Sequence, residues 1–434
     1  MKAVTGQELI DIQALRIGMF VHLDGGWMSH PFPLSNFKIT SADQLTTIRS
    51  LGLKQVRWNP QQSDAPPVAE PFVDSKPGLK SNVAAAADAG SAAPLESPEA
   101  QARAEHKRKL ADQGAALVLC ERQFAEAGRA WKQTTELVSA KPQEARGQAE
   151  ALSLALVSKM LGEQDLCIRL LTDGAGDKSA MHALNVTIIS LLMGRSFGLG
   201  ESDMLDLGVG ALLHDVGKLD LPERIRHHGE HFTPSETKFY EEHVAHGLTH
   251  ARKMGLTPGA TLVLAQHHEH ADGSGFPLKL GSDRMTTAAR IVSLVNRYDN
   301  LCNPNMAAKA VTPHEALALL FAQSKAKFDT AILGAFIKMM GVYPAGSTVQ
   351  LTDDRYAMVV GVNSSRPLKP RVLVHDAAVP REEALVLDLE SAAGLGVRRS
   401  IKPMQLPPPA LDYLSPRPRV AYFFEPARDA ETVE

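Results

Sequence analysis

The amino-acid sequence predicts a multi-domain, mainly α-helical protein in which a central all-helical bundle is flanked by a small N-terminal β-rich module and a small C-terminal β appendage. Three observations predict this architecture. The chain has 434 residues, more than one domain usually holds. Paired Thr and Glu residues typical of helix starts recur between residues 172 and 341. Short β-branched runs separated by turn residues lie on either side of that segment.

The segments before the bundle differ in composition. Residues 1–62 are expected to form the β-rich module, since short apolar runs there alternate with turn-forming Gly and Pro. Residues 63–97 are rich in Ala, Pro, Ser, Gly and Asp and contain few large apolar side chains. Burial of so little apolar surface cannot offset the entropy that the chain would lose on ordering, so we expect a flexible linker. Residues 98–171 are mostly helix formers with apolar side chains at helical spacing, which predicts two or three helices.

Residues 172–341 are predicted to form the all-helical bundle. Thr233-Pro234-Ser235-Glu236 and Thr312-Pro313-His314-Glu315 each place Thr at the N-cap, Pro at the first helical position and Glu three residues after the cap. Residues 342–434 change to alternating β-branched stretches and then, from about Pro403, to a Pro-rich tail. The β appendage is therefore expected to end in an extended strap or a frayed tail.

The composition limits the class of protein. Its 46 Lys and Arg residues against 49 Asp and Glu residues give a net charge of −3, so the overall charge favours neither nucleic acid nor an anionic membrane as a partner. Three cysteines without a CxxC pair argue against a disulfide scaffold. The start of the chain lacks the apolar core of a signal peptide, and the longest apolar run, Ala183–Gly194, is too short to span a bilayer. We expect a cytoplasmic protein without a membrane span.

Histidine is the informative residue type, because ten of the 16 histidines lie between His214 and His270. His214 and Asp215 end an apolar helix, where unpaired polar side chains would be costly. A metal ion would remove that cost, since imidazole nitrogen and carboxylate oxygen are common ligands and a carboxylate can bridge two cations. A hydrogen-bonded surface pair is the alternative for a His-Asp dipeptide taken alone.

Further histidines add context to this pair. His267 and His268 follow an apolar run, and neighbouring side chains on a helix point about 100° apart, so both rings can meet only at the helix end. His243 is expected on the helix that follows the first of the two Thr caps, and His182 near the start of an amphipathic helix over residues 179–193. For any one of these histidines a satisfied or exposed ring is the plain alternative, whereas the set favours a metal site.

A glycine-rich loop follows the double histidine. Asp272-Gly273-Ser274-Gly275-Phe276-Pro277 taken alone is only a sharp turn. Together with His214-Asp215-x-Gly217-Lys218 and His267-His268-Glu269, it resembles the HD-GYP family, a branch of the HD metallo-phosphohydrolases, with phenylalanine where the family usually has tyrosine. Residues 17–21, Trp27 and residues 30–32 look like the small N-terminal domain of unknown function often joined to HD-GYP modules in bacteria.

The resemblance implies an HD-type bundle that hydrolyses cyclic di-GMP to pGpG or GMP through a metal-bridging hydroxide, with two divalent metal ions, iron or manganese. Nitrogen and oxygen ligands suit these metals, and no thiolate is placed to select zinc. Asp215 and Lys218 are the expected catalytic residues. The expected metal ligands are His182, His214, Asp215, His243, His267, His268 and Asn296. The expected substrate-binding residues are Lys218, Gly273, Gly275, Phe276 and Lys309.

The chain departs from the family pattern at three positions. Asn296 stands where the family usually has an aspartate ligand, and an amide oxygen brings no negative charge to a metal. Asn305 stands where the family generally offers an arginine to the substrate phosphate, which should weaken binding of a cyclic dinucleotide. Lys178 stands where trinuclear members carry a glutamate, so at most a binuclear centre is expected. Asp299, three residues after the first departure, either hydrogen-bonds a ligand or lies on the helix surface.

Three functions therefore stay open. The first is a cytoplasmic cyclic di-GMP phosphodiesterase, which the intact histidines favour. The second is a catalytically impaired HD-GYP protein acting as a cyclic di-GMP receptor or signalling interaction module, which Asn296 and Asn305 favour. The third is a metal-dependent hydrolase of another phosphoester. A homodimer through residues 98–171 and signalling proteins as partners are also left open by the sequence.

Overall fold

A computed structural model describes the chain over residues 8–23, 36–39, 42–50, 53–64, 97–161, 165–172, 177–227, 232–323 and 325–427. The described part is mostly helical with a small sheet near each end of the chain, as the sequence predicts. It separates into two compact units, Met1–Arg108 and Lys109–Glu434. The predicted linker lies largely outside the described residues, as do Trp27 and residues 30–32.

The N-terminal unit contains an antiparallel sheet of four strands in the order β1-β4-β2-β3. Its core is apolar and includes Leu15, Val21, Ile39, Ile48 and Val56. Val21 in β2 and Val56 in β4 are buried between more exposed neighbours, so each of these strands buries one face. The elements are β1 (Glu8–Asp11), β2 (Phe20–His22), β3 (Asn36–Lys38), helix α1 (Ala42–Ser50) and β4 (Gln55–Asn59).

Two helices and one strand lead to the bundle. Helix α2 spans Pro98–Leu137 and helix α3 spans Pro142–Met160. Strand β5, Leu166–Leu170, then lies inside the segment predicted to be helical. All five of its residues are buried, and a short apolar run buried on both faces cannot be distinguished from a buried helix segment by its spacing. The helical expectation was wrong at this point.

Eight helices of the described chain form the predicted bundle. Helix α4 lies at its centre, packed against α5 and α9, while α5 packs against α8. Residues 183–194 of α4 are all buried, so this helix is not amphipathic as expected but enclosed on every side. The helices are α4 (Lys178–Ser196), α5 (Glu201–Leu213), α6 (Pro234–Glu241), α7 (His243–Met254), α8 (Pro258–Gln266), α9 (Thr287–Cys302), α10 (Pro313–Gln323) and α11 (Thr330–Met340).

The predicted helix caps are present. Thr233 and Glu236 form a complete capping box at the start of α6. At α10 the Glu315 amide donates to Thr312 Oγ1 over 3.2 Å, and the Thr312 amide donates to the Glu315 carboxylate over 3.1 Å. His243 does not lie on the helix that Thr233 caps, however, because α6 ends at Glu241 and His243 begins α7. Because of this break between α6 and α7, His243 is the first residue of a helix instead of an interior one.

The C-terminal sheet has seven strands and includes β5. Its order is β10-β6-β7-β5-β11, with β8 paired to β7 and β9 to β8, all antiparallel. The predicted appendage is thus joined to the strand that precedes the bundle. The remaining elements are β6 (Thr348–Leu351), β7 (Tyr356–Asn363), β8 (Arg371–Val374), β9 (Val386–Asp388), β10 (Val397–Ser400), helix α12 (Pro408–Leu414) and β11 (Tyr422–Pro426).

The tail differs from the expectation of an extended or frayed strap. Strand β11 pairs with β5 from Tyr422 opposite Leu170 to Pro426 opposite Leu166. The side chains of Tyr422, Phe423 and Phe424 are buried. Three aromatic side chains in a row bury enough apolar area to hold the end of the described chain, whatever the proline content before them.

In the described residues, no helix combines the length and the apolar character that a membrane crossing requires.

Burial of Phe423 makes the tail testable. Phe423→Ala should lower the free energy of unfolding by about 3 to 5 kcal/mol, because a fully buried ring leaves a cavity. Met404→Ala is the matched control, since that side chain is 84% exposed. Urea unfolding monitored by circular dichroism would compare the two variants. Equal midpoints would mean that the tail frays.

Candidate metal centre

The six histidine and aspartate positions predicted as metal ligands meet at one place in the bundle, where several helices begin or end. His182 lies in the first turn of α4, and His243 is the first residue of α7. His214 and His267 are the C-cap residues of α5 and α8, and each is followed directly by a further member of the cluster. Polar side chains can gather there because a helix end also leaves backbone groups to pair with them.

Asp215 lies between two sets of imidazoles. Its Oδ2 is 3.6 Å from His182 Nε2 and 3.4 Å from His214 Nε2. Its Oδ1 is 3.6 Å from the Nε2 atoms of both His243 and His267. The atoms that could bind a metal fall into two groups that share this carboxylate: His182, His214 and Asp215 in one, and Asp215, His243, His267 and His268 in the other.

The opposite ring nitrogens of these histidines have partners of their own. Nδ1 of His214, His243 and His267 lies 2.7, 2.6 and 2.8 Å from a backbone carbonyl oxygen three residues earlier in each case. A carbonyl only accepts, so each Nδ1 carries the proton and each Nε2 presents a lone pair. His182 Nδ1 lies 2.6 Å from Asp299 Oδ2, which orients that ring in the same way.

The arrangement leaves polar atoms that only a cation would satisfy. Nε2 of His182 and His214 are 3.2 Å apart, and Nε2 of His243 and His267 are 3.4 Å apart. Two lone pairs at that distance repel unless something positive lies beside them. Within the described chain, Asp215 Oδ1 and His268 Nε2 are buried without a hydrogen-bond partner. The residues therefore fit a metal centre with nitrogen and oxygen ligands.

Burial sets the protonation state of the imidazoles. It lowers the pKa of His243 to about 3 and also lowers the pKa values of His214 and His268. Burial acts in the opposite sense on Asp215, but the charge of Lys218 holds the pKa of that carboxyl well below its usual range. Neutral imidazoles around an ionised carboxylate are the states in which these groups bind metals.

Lys218 completes the charge balance of the cluster. Its Nζ lies 2.6 Å from Asp215 Oδ2 and 5.2 Å from the centre of the Tyr240 ring. Burial alone would lower the pKa of this ammonium, but the carboxylate of Asp215 raises it above its usual value. Lys218 is therefore a fixed cation beside the shared carboxylate.

Gly217 allows this segment to approach α7. Asp215 is followed by a 3-10 helix, Val216–Asp220, which packs on α7. A Cβ at position 217 would lie 1.9 Å from the carbonyl oxygen of His243 and 2.4 Å from the Gly247 amide nitrogen. Only glycine fits there, and the close approach brings Asp215 within reach of His243.

The glycine-rich loop covers the second histidine group. Phe276 stacks on His268, with ring centres 4.4 Å apart and planes 20° from parallel. Gly273 has φ of +74°, and a Cβ on Gly275 would lie 2.4 Å from the His268 carbonyl oxygen. The fully buried carboxylate of Glu269 accepts the amides of Leu278 and Leu280 over 2.6 and 2.8 Å and so holds the far side of the loop.

The structure also locates the departures from the family pattern. Asn296 is buried on α9, and its Oδ1 accepts a hydrogen bond from Asn300 Nδ2 over 2.6 Å. Asn305 is exposed, and its backbone oxygen accepts from Arg419 Nη2 over 3.1 Å. Lys309 ends the exposed 3-10 helix 307–309, and Lys178 is the exposed first residue of α4. The Asn296 side chain thus bonds a residue of its own helix, one turn further along α9.

Other polar residues close to the cluster were missed or left undecided by sequence reasoning. Asp299 is fully buried and its carboxylate contacts His182, so it hydrogen-bonds a predicted ligand and does not lie on the helix surface. Asn185 and Asn303 both bond Asp299 and were not predicted. An asparagine inside the apolar run of α4 was the available signal, since buried polar groups need partners. His250 is buried and lies 2.9 Å from Asp220 Oδ2, beside the half-exposed His246. His228 and His231 lie outside the described residues.

Comparisons with protein families match two parts of the chain. A family model described as an HD domain matches residues 136–332. A second model, a domain of unknown function named DUF3391, matches residues 8–149. Together the two models cover both the N-terminal sheet and the helices that carry the histidine cluster.

Individual proteins are also similar. A cyclic di-GMP phosphodiesterase of Pseudomonas aeruginosa is 26% identical over 377 residues, which is 85% of each chain. A cyclic di-GMP phosphodiesterase of Borreliella burgdorferi is 25% identical over 44% of this chain and 51% of its own length. A 3'3'-cGAMP-specific phosphodiesterase of Vibrio cholerae is 26% identical over 40% of this chain and 38% of its own. A solved HD-GYP-like protein of Bdellovibrio bacteriovorus, 15% identical, has a TM-score of 0.41 and covers 76% of this chain and 98% of its own.

The contact at Gly217 predicts a local requirement for glycine. Gly217→Ala should separate the 3-10 helix from α7, and the protein should then lose bound Mn²⁺ and unfold at a lower temperature, because the added methyl overlaps backbone atoms. Gly147→Ala is the control: this glycine lies exposed within α3 with open space around it, and the change should stabilise by about 0.5 to 1 kcal/mol. Normal Mn²⁺ binding by Gly217→Ala would contradict the packing described.

The lowered histidine pKa values predict how pH affects the metal-free protein. Below about pH 6.5 the unfolded chain binds protons on these rings, while the folded protein holds them neutral, so stability should fall as pH falls from 7 toward 5. His243→Gln should remove one ring's share, about 1.4 kcal/mol per pH unit. Urea unfolding of both proteins at three pH values measures the slopes. Equal slopes would mean that His243 is protonated in the folded state.

Proposed function

Since this chain carries an HD domain preceded by a DUF3391 domain, as its motifs predict, we propose that it is a metal-dependent phosphodiesterase that hydrolyses cyclic di-GMP. One observation carries the proposal: the two oxygens of Asp215 each face a separate pair of histidine Nε2 atoms. A shared carboxylate between two nitrogen pairs is the arrangement of ligands used in two-metal phosphoesterases.

The proposed centre holds two divalent cations. His182, His214 and Asp215 Oδ2 would bind one cation, and His243, His267, His268 and Asp215 Oδ1 the other. The nitrogen and oxygen donors suit iron or manganese. Lys178, on the same helix as His182 and one turn before it, puts a positive charge where a third cation would need a negative one.

The chemistry divides between the cations and the chain. Bound cations would supply the positive charge that stabilises a phosphodiester as negative charge builds on its oxygens, and would acidify water at neutral pH. The chain holds the ligands ready: Asp299 fixes the ring of His182, and backbone carbonyls fix the rings of three other histidines. Lys218 balances the charge of Asp215 before and after substrate enters.

The substrate assignment rests on the relatives and on the loop. The relative that spans 85% of both chains is named for cyclic di-GMP, and another relative is named for 3'3'-cGAMP. The proposed substrate class is therefore a cyclic dinucleotide that contains guanine. Gly273, Gly275 and Phe276 form the covering loop and are proposed to contact the substrate, as is the exposed Lys309.

A second candidate function has its own support. The Asn296 oxygen accepts from Asn300, and Asn305 presents no guanidinium for a phosphate. An uncharged residue at 296 would impair a metal on which catalysis depends, and the missing guanidinium at 305 would weaken the hold on a substrate phosphate. A site impaired in this way favours a receptor or signalling module that binds cyclic di-GMP without hydrolysing it.

The two candidates differ in one assay. The protein, reconstituted anaerobically with Fe²⁺ or Mn²⁺, should convert cyclic di-GMP to pGpG or GMP, and Asp215→Asn should reduce turnover by at least about 100-fold, as loss of a central electrostatic group does. Asp220→Asn is the matched control, because Asp220 pairs with His250 outside the cluster. Nucleotide products would be separated by chromatography, with 3'3'-cGAMP assayed in parallel.

The outcomes are distinct. Turnover that survives Asp220→Asn and is lost in Asp215→Asn supports the phosphodiesterase. Saturable binding of cyclic di-GMP without product contradicts it and supports the receptor. Faster turnover of 3'3'-cGAMP contradicts the substrate assignment while supporting the reaction class.

A further inference from the structure

A carboxylate that is not itself among the predicted ligands supports the first histidine group. Asp299 is fully buried on α9, and its Oδ2 lies 2.6 Å from His182 Nδ1. Its other oxygen, Oδ1, accepts hydrogen bonds from Asn185 Nδ2 and Asn303 Nδ2, each over 2.8 Å. The three donors are the His182 ring and the Asn185 amide on α4 and the Asn303 amide at the end of α9. Both oxygens of the carboxylate are therefore held by hydrogen bonds, and its orientation is fixed.

The two asparagines repeat one pattern of contacts. Each amide nitrogen donates once to Asp299 Oδ1 and once to the backbone oxygen of Val420, over 3.0 Å from Asn185 and 2.9 Å from Asn303. Each amide oxygen accepts one backbone amide, that of Tyr422 over 3.0 Å and that of Val420 over 2.8 Å. Every donor of both side chains has an acceptor, which orients each amide unambiguously.

The segment held by these amides lies near the C-terminal end of the described chain. Val420 and Tyr422 are buried and lead into β11, which pairs with β5. Contacts of this kind connect the last strand to Asp299, and Asp299 to the ring of His182. An aspartate without them would be free to turn about its own side-chain torsions, and the imidazole would lose its fixed tautomer.

We propose that Asn185 and Asn303 are positioning residues of the metal centre, and that the backbone of residues 420–422 is the third part of the same support. They act through Asp299 on the cation site formed by His182, His214 and Asp215. In the other site, with His243, His267 and His268, the rings of His243 and His267 pair with backbone carbonyls and do not depend on the two asparagines. The inference rests on the metal centre of the proposed function, although it does not require that the substrate be cyclic di-GMP.

The expected effect is selective. Loss of a carboxylate or its hydrogen bonds behind a histidine ligand reduces metal affinity by about 10- to 100-fold in metal sites generally. Asn303→Ala should therefore raise the Kd of one of the two bound Mn²⁺ ions by about that factor and leave the other unchanged. Asn185→Ala should do the same, and Asn303, which is only half-buried at the end of α9, provides a variant that folds if the fully buried Asn185 cannot be replaced.

Phe424→Leu is the matched control. Phe424 is buried on the same strand, outside residues 420–422, and its ring stacks on that of Phe423 with ring centres 4.9 Å apart. The smaller side chain should lower the unfolding midpoint without changing either Kd for Mn²⁺. The measurements are equilibrium titration of the full chain with Mn²⁺ and thermal unfolding of the metal-free protein.

The result decides the role of the asparagines. A selective loss of one Mn²⁺ in Asn303→Ala, absent from Phe424→Leu, supports positioning. Two unchanged Kd values together with a lowered unfolding midpoint would overturn it, because both asparagines would then only stabilise the fold. Wild-type protein that binds two Mn²⁺ ions and hydrolyses no cyclic dinucleotide would contradict the proposed function and leave this inference standing.

Discussion

The shared carboxylate of Asp215 is the constraint on which the rest of the site depends. A single side chain can lie within 3.6 Å of four imidazole nitrogens only if the ends of α5 and α8 and the starts of α4 and α7 come together. Gly217 is the clearest consequence, since the segment after Asp215 touches the backbone of α7 without room for a side chain. The positions of these four helix ends in the bundle are therefore what allow one carboxylate to contact all four rings.

Burial and charge then act together. Enclosure lowers the pKa values of His214, His243 and His268, so these rings are neutral and leave nitrogen lone pairs in the cluster, and Lys218 keeps Asp215 ionised. Such an arrangement is unfavourable for the protein alone and favourable with cations, so part of the stability of the metal-free chain is given up for binding. Supporting residues such as Asp299 act at the edge of this enclosure, where a hydrogen bond to the far nitrogen fixes the orientation of the His182 ring.

The sequence predicted the bundle and its capped helices because caps are local signals, and the resemblance to the HD-GYP family predicted that the six histidine and aspartate positions would meet. It failed where pairing is non-local. Strand β5 has the apolar character of a buried helix segment, and only its partners β7 and β11 make it a strand. The tail was expected to lie as an extended strap or to fray, because its prolines are visible in the sequence and its partner strand is not. Asn185 and Asn303 were missed for a similar reason, since both bond the backbone of Val420, which is far away along the chain.

The most direct test of this account is an anomalous-scattering crystal structure of the Mn²⁺-loaded protein. Two manganese peaks should lie on either side of Asp215, about 3.5 to 4 Å apart, the spacing of two-metal sites. One peak should contact His182 and His214, and the other His243, His267 and His268. A single manganese, or two that do not share Asp215, would contradict the claim that this carboxylate organises the site.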